Sequence, residues 1–334
     1  MFKKKTLIIA EAGVNHNGNL KIAKKLIDAA KKCGADYVKF QTFDPNLITT
    51  PQSDLAPYQK KIKLGETKQI KMLQKLSLTN DNFQELYLYC KKKKIKFLSS
   101  PFDIESINFL KNRIKMDFYK VPSGEINNYP YLKFLGKLNK KILLSTGMSK
   151  LKEINFALRT LVNSGTKRNN ITIMHCISDY PTNIKDVNLK FIETLKKISK
   201  NVGFSDHTMG NLPAILAVAL EVKIIEKHFT LNKKMKGPDH AMSLDINEFK
   251  TFVKKIRDAE LILGKNKKIL TKGEKILKNF ARKSLVTKNF IKKGEKFSKF
   301  NITTKRPGDG KSPILWNKII GKKATKNFKK NEKI

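Results

Sequence analysis

Cysteine is scarce in this chain. Only Cys33, Cys90 and Cys176 occur among 334 residues, an odd number with no C-x-x-C pair. That pattern offers no disulfide framework and points to buried free thiols in a reducing compartment. Arginine is scarcer than the charge suggests. The formal net charge is +42, yet of 70 basic residues only Arg113, Arg159, Arg168, Arg257, Arg282 and Arg306 are arginine. The rest are lysines spread along helices and loops, whereas base-edge and phosphate recognition favour arginine. A solvated basic surface is therefore expected, not a nucleic-acid partner. No apolar run approaches membrane-spanning length, so no membrane partner is expected. The start, MFKKKTLIIAEAG, is basic but Glu11 interrupts its short apolar run. It does not read as a signal peptide, and a cytoplasmic protein is expected. A Walker loop is missing, as is a G-x-G-x-x-G after a strand, which argues against nucleotide binding.

What the chain does have is eight short apolar runs, nearly all ending in polar residues. They are LIIAEAG (7–13), DYVKFQT (36–42), KFLSSPF (96–102), DFYKVPSGE (117–125), KILLSTG (141–147), ITIMHCIS (171–178), NVGFSDHT (201–208) and KIIEKHFT (223–230). Each is strand-length and rich in β-branched or aromatic residues, and most are separated by a helical stretch. Eight βα units in series predict an α/β fold, a closed (β/α)8 barrel of TIM type over residues 1–264, with its active site at the C-terminal strand ends. A helix is expected over about 20–33, stopped by Gly34, and another over about 247–263, stopped by Gly264. Asp103 and Ser149 are candidate helix caps. The long connection 43–95 is a candidate substrate-shaping loop. Residues 265–280 read as a basic linker with one helical turn or more. Residues 281–334 read as a small β-rich domain near the lower size limit for independent folding.

The strand ends carry the chemistry. So many polar groups on buried strands would be costly in a purely structural core. His207 and His228 end adjacent strands and can meet at one divalent cation, completed by water or substrate, as Lewis-acid catalysis requires. Lys39, Lys120, Ser123, Ser145 and Ser205 each sit at or near a strand end. Converging ammonium and hydroxyl groups suit a phosphate together with a carboxylate. Glu11 and Glu125 form a candidate acid–base pair; salt bridges to nearby lysines are the structural alternative.

Ten strings in order carry a resemblance: IIAEAGVNHNG (8–18), VKFQTF (38–43), SPFD (100–103), KVPSGEINNYPYL (120–132), STGM (145–148), YPT (180–182), GFSDHT (203–208), EKHFTL (226–231), GPDHAMSL (237–244) and KRPGDG (305–310). Together they resemble the sialic acid synthase family, the bacterial N-acetylneuraminate synthases, over essentially the whole chain. The tail from about 281 resembles that family's antifreeze-like (SAF) domain, of β-clip type. The resemblance implies condensation of phosphoenolpyruvate with an open-chain N-acetylated hexose, releasing phosphate, with Mn2+ or Mg2+ as the only cofactor. It makes His207 and His228 the metal ligands. Lys39, Ser100, Lys120, Ser123, Ser145 and Ser205 would hold phosphoenolpyruvate. Glu11, Gln41, Tyr180 and Asp239 would contact the sugar. Arg306 would reach it from the partner subunit of a homodimer that exchanges domains. Relatives often have Thr at Ser100, and around Ser178 the string HCISDYPT departs from theirs, so Ser178 is left out of the site. His240 in GPDHAMSL argues against the pseudaminate branch. The expected activity is N-acetylneuraminate synthase acting on N-acetylmannosamine, with N,N'-diacetyllegionaminate synthase acting on 2,4-diacetamido-2,4,6-trideoxymannose as the alternative.

Overall fold

The structure is a computed structural model and describes residues 5–61 and 65–334. Two compact units divide it, 1–264 and 265–334. In the first, eight strands alternate with eight principal helices: β1 Leu7–Gly13, α1 Leu20–Cys33, β2 Tyr37–Thr42, α2 Asn80–Lys93, β3 Lys96–Pro101, α3 Ile104–Arg113, β4 Tyr119–Val121, α4 Tyr129–Lys137, β5 Ile142–Ser145, α5 Leu151–Asn163, β6 Ile171–Cys176, α6 Phe191–Ile198, β7 Val202–Asp206, α7 Leu212–Ala219, β8 Ile224–His228 and α8 Ile246–Leu263. The ladder order is β3-β2-β1-β8-β7-β6-β5-β4. Every pairing in it is parallel. β3 and β4 lie side by side and close the ring. This is the TIM-type barrel expected from the eight runs.

Local signals explain where the helices begin and end. Asn19 accepts from the backbone of Lys21 and Ile22 at the start of α1, satisfying donors that the first turn leaves unpaired. Gly34 closes that helix at φ 87°, a left-handed conformation that costs glycine little. Asp103 caps α3 through a 2.6 Å bond from the Ser106 backbone. Ser149 does not cap α5. Its hydroxyl turns back to the Gly147 carbonyl, and Glu153 instead accepts from the Lys150 backbone. The run DFYKVPSGE yields only a three-residue strand, because Pro122 cannot donate to a ladder. Ser123–Glu125 forms a 3-10 turn.

Two hydrophobic layers follow from strand alternation. Outward residues such as Ile8, Val38, Phe97, Leu144 and Phe204 pack under the helices. Inside the barrel, Ile9, Tyr37, Leu98, Leu143, Met174 and Ile224 fill the lower lumen. Each such buried side chain contributes about 1.5–3 kcal/mol. Gly203 makes room for this plug: a Cβ there would stand 2.3 Å from the Met174 sulfur. The barrel is therefore packed shut from below and must work from above.

Between β2 and α2 lie three short helices, Pro45–Ile48, Pro57–Lys61 and Gln69–Leu76. Val14, Phe43, Leu55, Met72 and Leu76 form a small separate core under them.

The second unit begins with residues read from sequence as a linker. They include α9 Lys272–Ala281, capped by Thr271. β9 Ser284–Thr287 and β10 Ile302–Lys305 then pair antiparallel. Leu285, Ile291, Phe297, Ile302, Ile319, Ala324 and Phe328 build this unit's own core. No helix among the described residues is long and apolar enough to cross a membrane.

Candidate active site

One layer above the apolar plug, the inward positions turn polar. Two residues beyond Ile9 is Glu11, and beyond Tyr37 are Lys39 and then Gln41. Beyond Leu98 is Ser100, beyond Leu143 is Ser145, and beyond Ile224 are Glu226 and then His228. The pleat that buries one set of residues thus aims the next set upward into a common space. That space is a cavity of about 1120 Å3. Glu11, Lys39, Gln41, Ser100, Lys120, Ser123, Ser145, Tyr180, Ser205, His207 and His228 all line it. Eleven of the fourteen residues singled out from sequence are brought together there. Glu125 and Asp239 line an adjoining cavity of about 300 Å3. Arg306 belongs to the second unit, where its Nε donates to the Ala281 carbonyl at 3.0 Å.

The cavity floor is a buried charge cluster. Lys39 Nζ lies 2.7 Å from Glu11 and 3.7 Å from Glu226. Its ammonium also donates to Ser100 at 2.8 Å. Lys120 donates to Glu226 at 2.6 Å, and Ser205 donates to the same Glu226 oxygen at 2.9 Å. Burial works against ionisation of Glu226, but Lys120 and Lys39 outweigh it and hold the carboxyl well below the usual range. Glu11 behaves differently. Burial dominates, Lys39 only partly offsets it, and its pKa rises to about 7. Two carboxylates on neighbouring strands are thus pushed apart in acidity, the arrangement that separates a fixed charge from a proton carrier.

Glu226 was not singled out from sequence. The signal was present: it stands two residues before His228 in EKHFTL, on the same strand face. Ser178 was also left aside. It lines the cavity, and its buried hydroxyl has no hydrogen-bond partner. With Ser123 it faces Gly147, where a Cβ would lie 2.1 Å from the Ser178 Oγ and 2.8 Å from the Ser123 Oγ. The Gly147 N–H already donates to Ser123 at 3.1 Å. The Ser123 and Ser178 hydroxyls thus converge on one backbone position at Gly147.

His207 and His228 face each other with ring centroids 5.5 Å apart. The His207 Nδ1 donates to the Ile177 carbonyl at 2.6 Å, which leaves Nε2, 3.4 Å from the Ser205 Oγ, as the unprotonated nitrogen. The His228 Nδ1 is buried without a partner. Burial lowers both imidazoles, His207 to about 4. Both are neutral at physiological pH, the form that binds a metal. Among the described residues no group of three His, Cys, Asp or Glu side chains could hold an ion. His207 and His228 are the two nitrogen donors that a divalent cation completed by water and substrate oxygen would use. Behind His207, the outward pair Asp206–Lys227 is buried at 2.8 Å. Asp206 accepts from the backbone and hydroxyl of Thr208, and Lys227 donates to the Thr208 carbonyl. This knot fixes the corner that presents His207.

The remaining histidines are structural in this arrangement. His175 contacts the Val187 carbonyl and stacks on Phe204. His16 lies in a turn and His240 opens the short 3-10 helix His240–Met242. His240 sits between Thr230 at 2.7 Å and Asn17 at 3.1 Å, clamping the loop that carries Asp239. Burial raises Asp239 to about 6. Glu125 is raised by burial too. Its partner is Asn128, at 2.6 Å, and not a lysine. All three cysteines are free and buried.

A (β/α)8 barrel with a lysine–carboxylate floor, clustered hydroxyls and two facing imidazoles at its C-terminal strand ends has the form of a barrel-enzyme active site. Comparison with known proteins is specific beyond that. Residues 26–268 match the NeuB family and residues 282–334 match the SAF domain. The chain is 50% identical over 332 residues to N,N'-diacetyllegionaminic acid synthase of Campylobacter jejuni, covering 99% of each chain. It is 39% identical over 330 residues to pseudaminic acid synthase of the same organism, covering 98% of this chain and 94% of that one. Among solved structures it resembles N-acetylneuraminic acid synthetase of Leptospira borgpetersenii, crystallised with citrate, at TM-score 0.72 and 29% identity, covering 82% of this chain and 90% of that one. The chain belongs to the NeuB family and carries a C-terminal SAF domain. It is a phosphoenolpyruvate-dependent nonulosonate synthase, a transferase that forms a carbon–carbon bond.

Proposed function

We propose that the chain is an N,N'-diacetyllegionaminate synthase. It would join phosphoenolpyruvate to 2,4-diacetamido-2,4,6-trideoxymannose and water, giving N,N'-diacetyllegionaminate and phosphate. The observation that carries this reading is the 50% identity over 99% of both chains to a legionaminic acid synthase, against 39% to the pseudaminic enzyme. It displaces N-acetylneuraminate, the first expectation from sequence, in favour of the alternative.

Lys39 and Lys120 are suited to take the carboxylate and phosphate of phosphoenolpyruvate, trading part of their pairing with Glu11 and Glu226 for the incoming anion. Ser100, Ser123, Ser145, Ser178 and Ser205 supply hydroxyl donors around them. His207 and His228 would hold a divalent cation, Mn2+ or Mg2+, which when bound polarises the sugar aldehyde. With phosphoenolpyruvate on the two lysines, its C3 would attack the aldehyde carbon; the C=O π pair would move to the aldehyde oxygen, which takes up a proton, and a cationic centre would be left at C2. The cationic centre left at C2 takes up water, and the resulting tetrahedral carbon expels phosphate. Glu11, with its pKa near neutrality, is the group best placed to accept a proton over the cavity floor. Glu226 stays ionised between the two lysines and keeps them positioned when the anion leaves. Gln41, Tyr180 and Asp239 would contact the sugar, and Glu125 the water or a sugar amide. Arg306 would act from the partner subunit of a homodimer.

Phosphate release tests the reading. Purified enzyme with phosphoenolpyruvate is given 2,4-diacetamido-2,4,6-trideoxymannose or N-acetylmannosamine in parallel, with Mn2+ and with chelator. Release should be fastest with the diacetamido sugar and vanish with chelator. Faster release with N-acetylmannosamine would return the assignment to neuraminate.

A further inference from the structure

We infer that the buried pair Asp206–Lys227 is a positioning device for both imidazoles: it sets the separation of His207 and His228, and so the affinity of the site for its divalent cation. The inference rests on the reading above in which those two histidines hold the metal. Asp206 on β7 and Lys227 on β8 are cross-strand partners, and each immediately precedes one of the histidines. The registered β7–β8 ladder ends at this pair, so His207 and His228 lie one step past its end. The two corners are otherwise anchored separately. His228 pairs with Glu11 of β1. His207 is tied to the connection after β6, through the Ile177 carbonyl and the Thr182 N–H. Side chains join the two corners. Lys227 Nζ lies 2.8 Å from Asp206 and donates to the Thr208 carbonyl at 2.5 Å. Asp206 accepts from the Thr208 backbone at 2.9 Å and from its hydroxyl at 2.7 Å. The residue before His228 thus grips both neighbours of His207.

The setting of the pair argues against a role in stability alone. Among the ion pairs of the described residues, only this one and the cavity-floor cluster have both partners almost fully buried. The floor cluster faces the cavity, where an anion can meet it. Asp206 and Lys227 point the other way, into the layer in which Phe204 and Ile225 hold the preceding outward positions. Desolvating two charges there costs about as much as their pairing returns, and apolar side chains of similar volume often serve stability as well or better. Fixing a register is the better-attested use of such a pair. Partners behind metal-binding imidazoles have a known scale of effect. They orient the ligand, and losing one typically weakens metal binding about 10- to 100-fold.

The test reads metal binding directly. Mn2+ is titrated into the full-length enzyme without substrates, free Mn2+ is followed by its electron paramagnetic resonance signal, and thermal unfolding is recorded alongside. In Lys227→Met and in Asp206→Asn the Kd for Mn2+ should rise about tenfold or more. The double variant should regain part of the Tm lost in Lys227→Met, since no buried charge is left unmatched, yet its Kd should stay raised. Leu144→Ala, which cuts into the same outward layer on β5, should lower Tm while leaving the Kd within about twofold of wild type. Asp206→Asn keeps an acceptor for Thr208 and carries the test if Lys227→Met fails to fold. A wild-type Kd in the folded pair variants, or a Kd that simply follows Tm with Leu144→Ala included, would overturn the inference. His207→Ala separates that failure from failure of the metal reading. Mn2+ binding lost in His207→Ala but unchanged in the pair variants would overturn the positioning role and leave the two-histidine site standing. Binding unchanged in His207→Ala would refute that site, and the inference with it.

Discussion

Lys120 offers the sharpest separation of stability from binding. Its ammonium lies 2.6 Å from Glu226, and both side chains are almost fully buried, at 4% and 5% exposure. Removing one partner of such a pair costs about 3–5 kcal/mol, because the other charge stays buried and unmatched. Here Lys39 at 3.7 Å and Ser205 at 2.9 Å remain to support Glu226. Lys120→Met should therefore fall at the lower end, about 3 kcal/mol. For a unit of this size that lowers Tm by roughly 6–12 °C. The pH dependence has a definite sign. In the wild type, Glu226 is held below its ordinary value of 4.5. Its contribution is thus present above that value and is lost as pH falls through the lower, folded pKa. Without Lys120 much of that contribution disappears, so the loss in Tm should be larger at pH 8 than near pH 4. Thermal unfolding across that range, with Lys120→Met, Glu226→Gln and the double variant, checks the argument. The double variant should regain much of the stability lost in Lys120→Met, since no buried charge is left unmatched. Its KM for phosphoenolpyruvate should nonetheless stay raised by about tenfold or more, the loss of one charge-assisted contact. A double variant no more stable than Lys120→Met would refute the reasoning.

Glu11 should impose a pH limb on turnover. With its pKa at about 7 and the ionised form required, kcat/KM should climb as pH rises through 7 and level off above it. Glu11→Gln should lower the rate by about 100-fold or more and abolish that limb; a retained limb would assign it elsewhere. Gly147→Ala should push aside the Ser178 and Ser123 hydroxyls, which a Cβ would meet at 2.1 and 2.8 Å. The KM for phosphoenolpyruvate should rise severalfold, with the sugar KM little changed, and equal changes in both would count against phosphoenolpyruvate binding there. Arg306 is proposed to act across a homodimer interface, so mixing the inactive variants Arg306→Ala and His207→Ala should restore part of the activity. No recovery despite demonstrated subunit exchange would reject the trans assignment.

How far the sequence revealed this site depends on which element carries each residue. Strand periodicity made the barrel readable, because eight apolar runs can bury themselves in few other ways. The same alternation, followed back from His228, leads to Glu226, and through Ile9 and Tyr37 it leads to Glu11 and Lys39. Glu226 was missed because a carboxylate between two hydrophobic positions and a histidine looks like an ordinary charged residue until its partners are known. Loops were less legible. Tyr58 lines the cavity from a connection with no period that links it there. Ser178 was set aside for departing from a motif, although its hydroxyl faces the same space. Ser149 is a good cap by type, but its hydroxyl has a nearer acceptor in its own turn. Glu125 follows a strand of only three residues, and the turn after Pro122 carries it to the adjoining cavity. Composition pointed to a solvated basic surface and the lysine surplus does coat the surface, whereas the two lysines that matter, Lys39 and Lys120, were found because they interrupt apolar strands.

This chain is proposed to build a nine-carbon acid from phosphoenolpyruvate and a diacetamido hexose. A competition assay tests it most directly: equal concentrations of 2,4-diacetamido-2,4,6-trideoxymannose and N-acetylmannosamine, limiting phosphoenolpyruvate, added Mn2+, and products identified by mass spectrometry alongside released phosphate. One phosphate per condensed product and a product pool dominated by the diacetamido nonulosonate are expected. A pool dominated by N-acetylneuraminate, or consumption of phosphoenolpyruvate with no sugar condensed, would contradict the proposal.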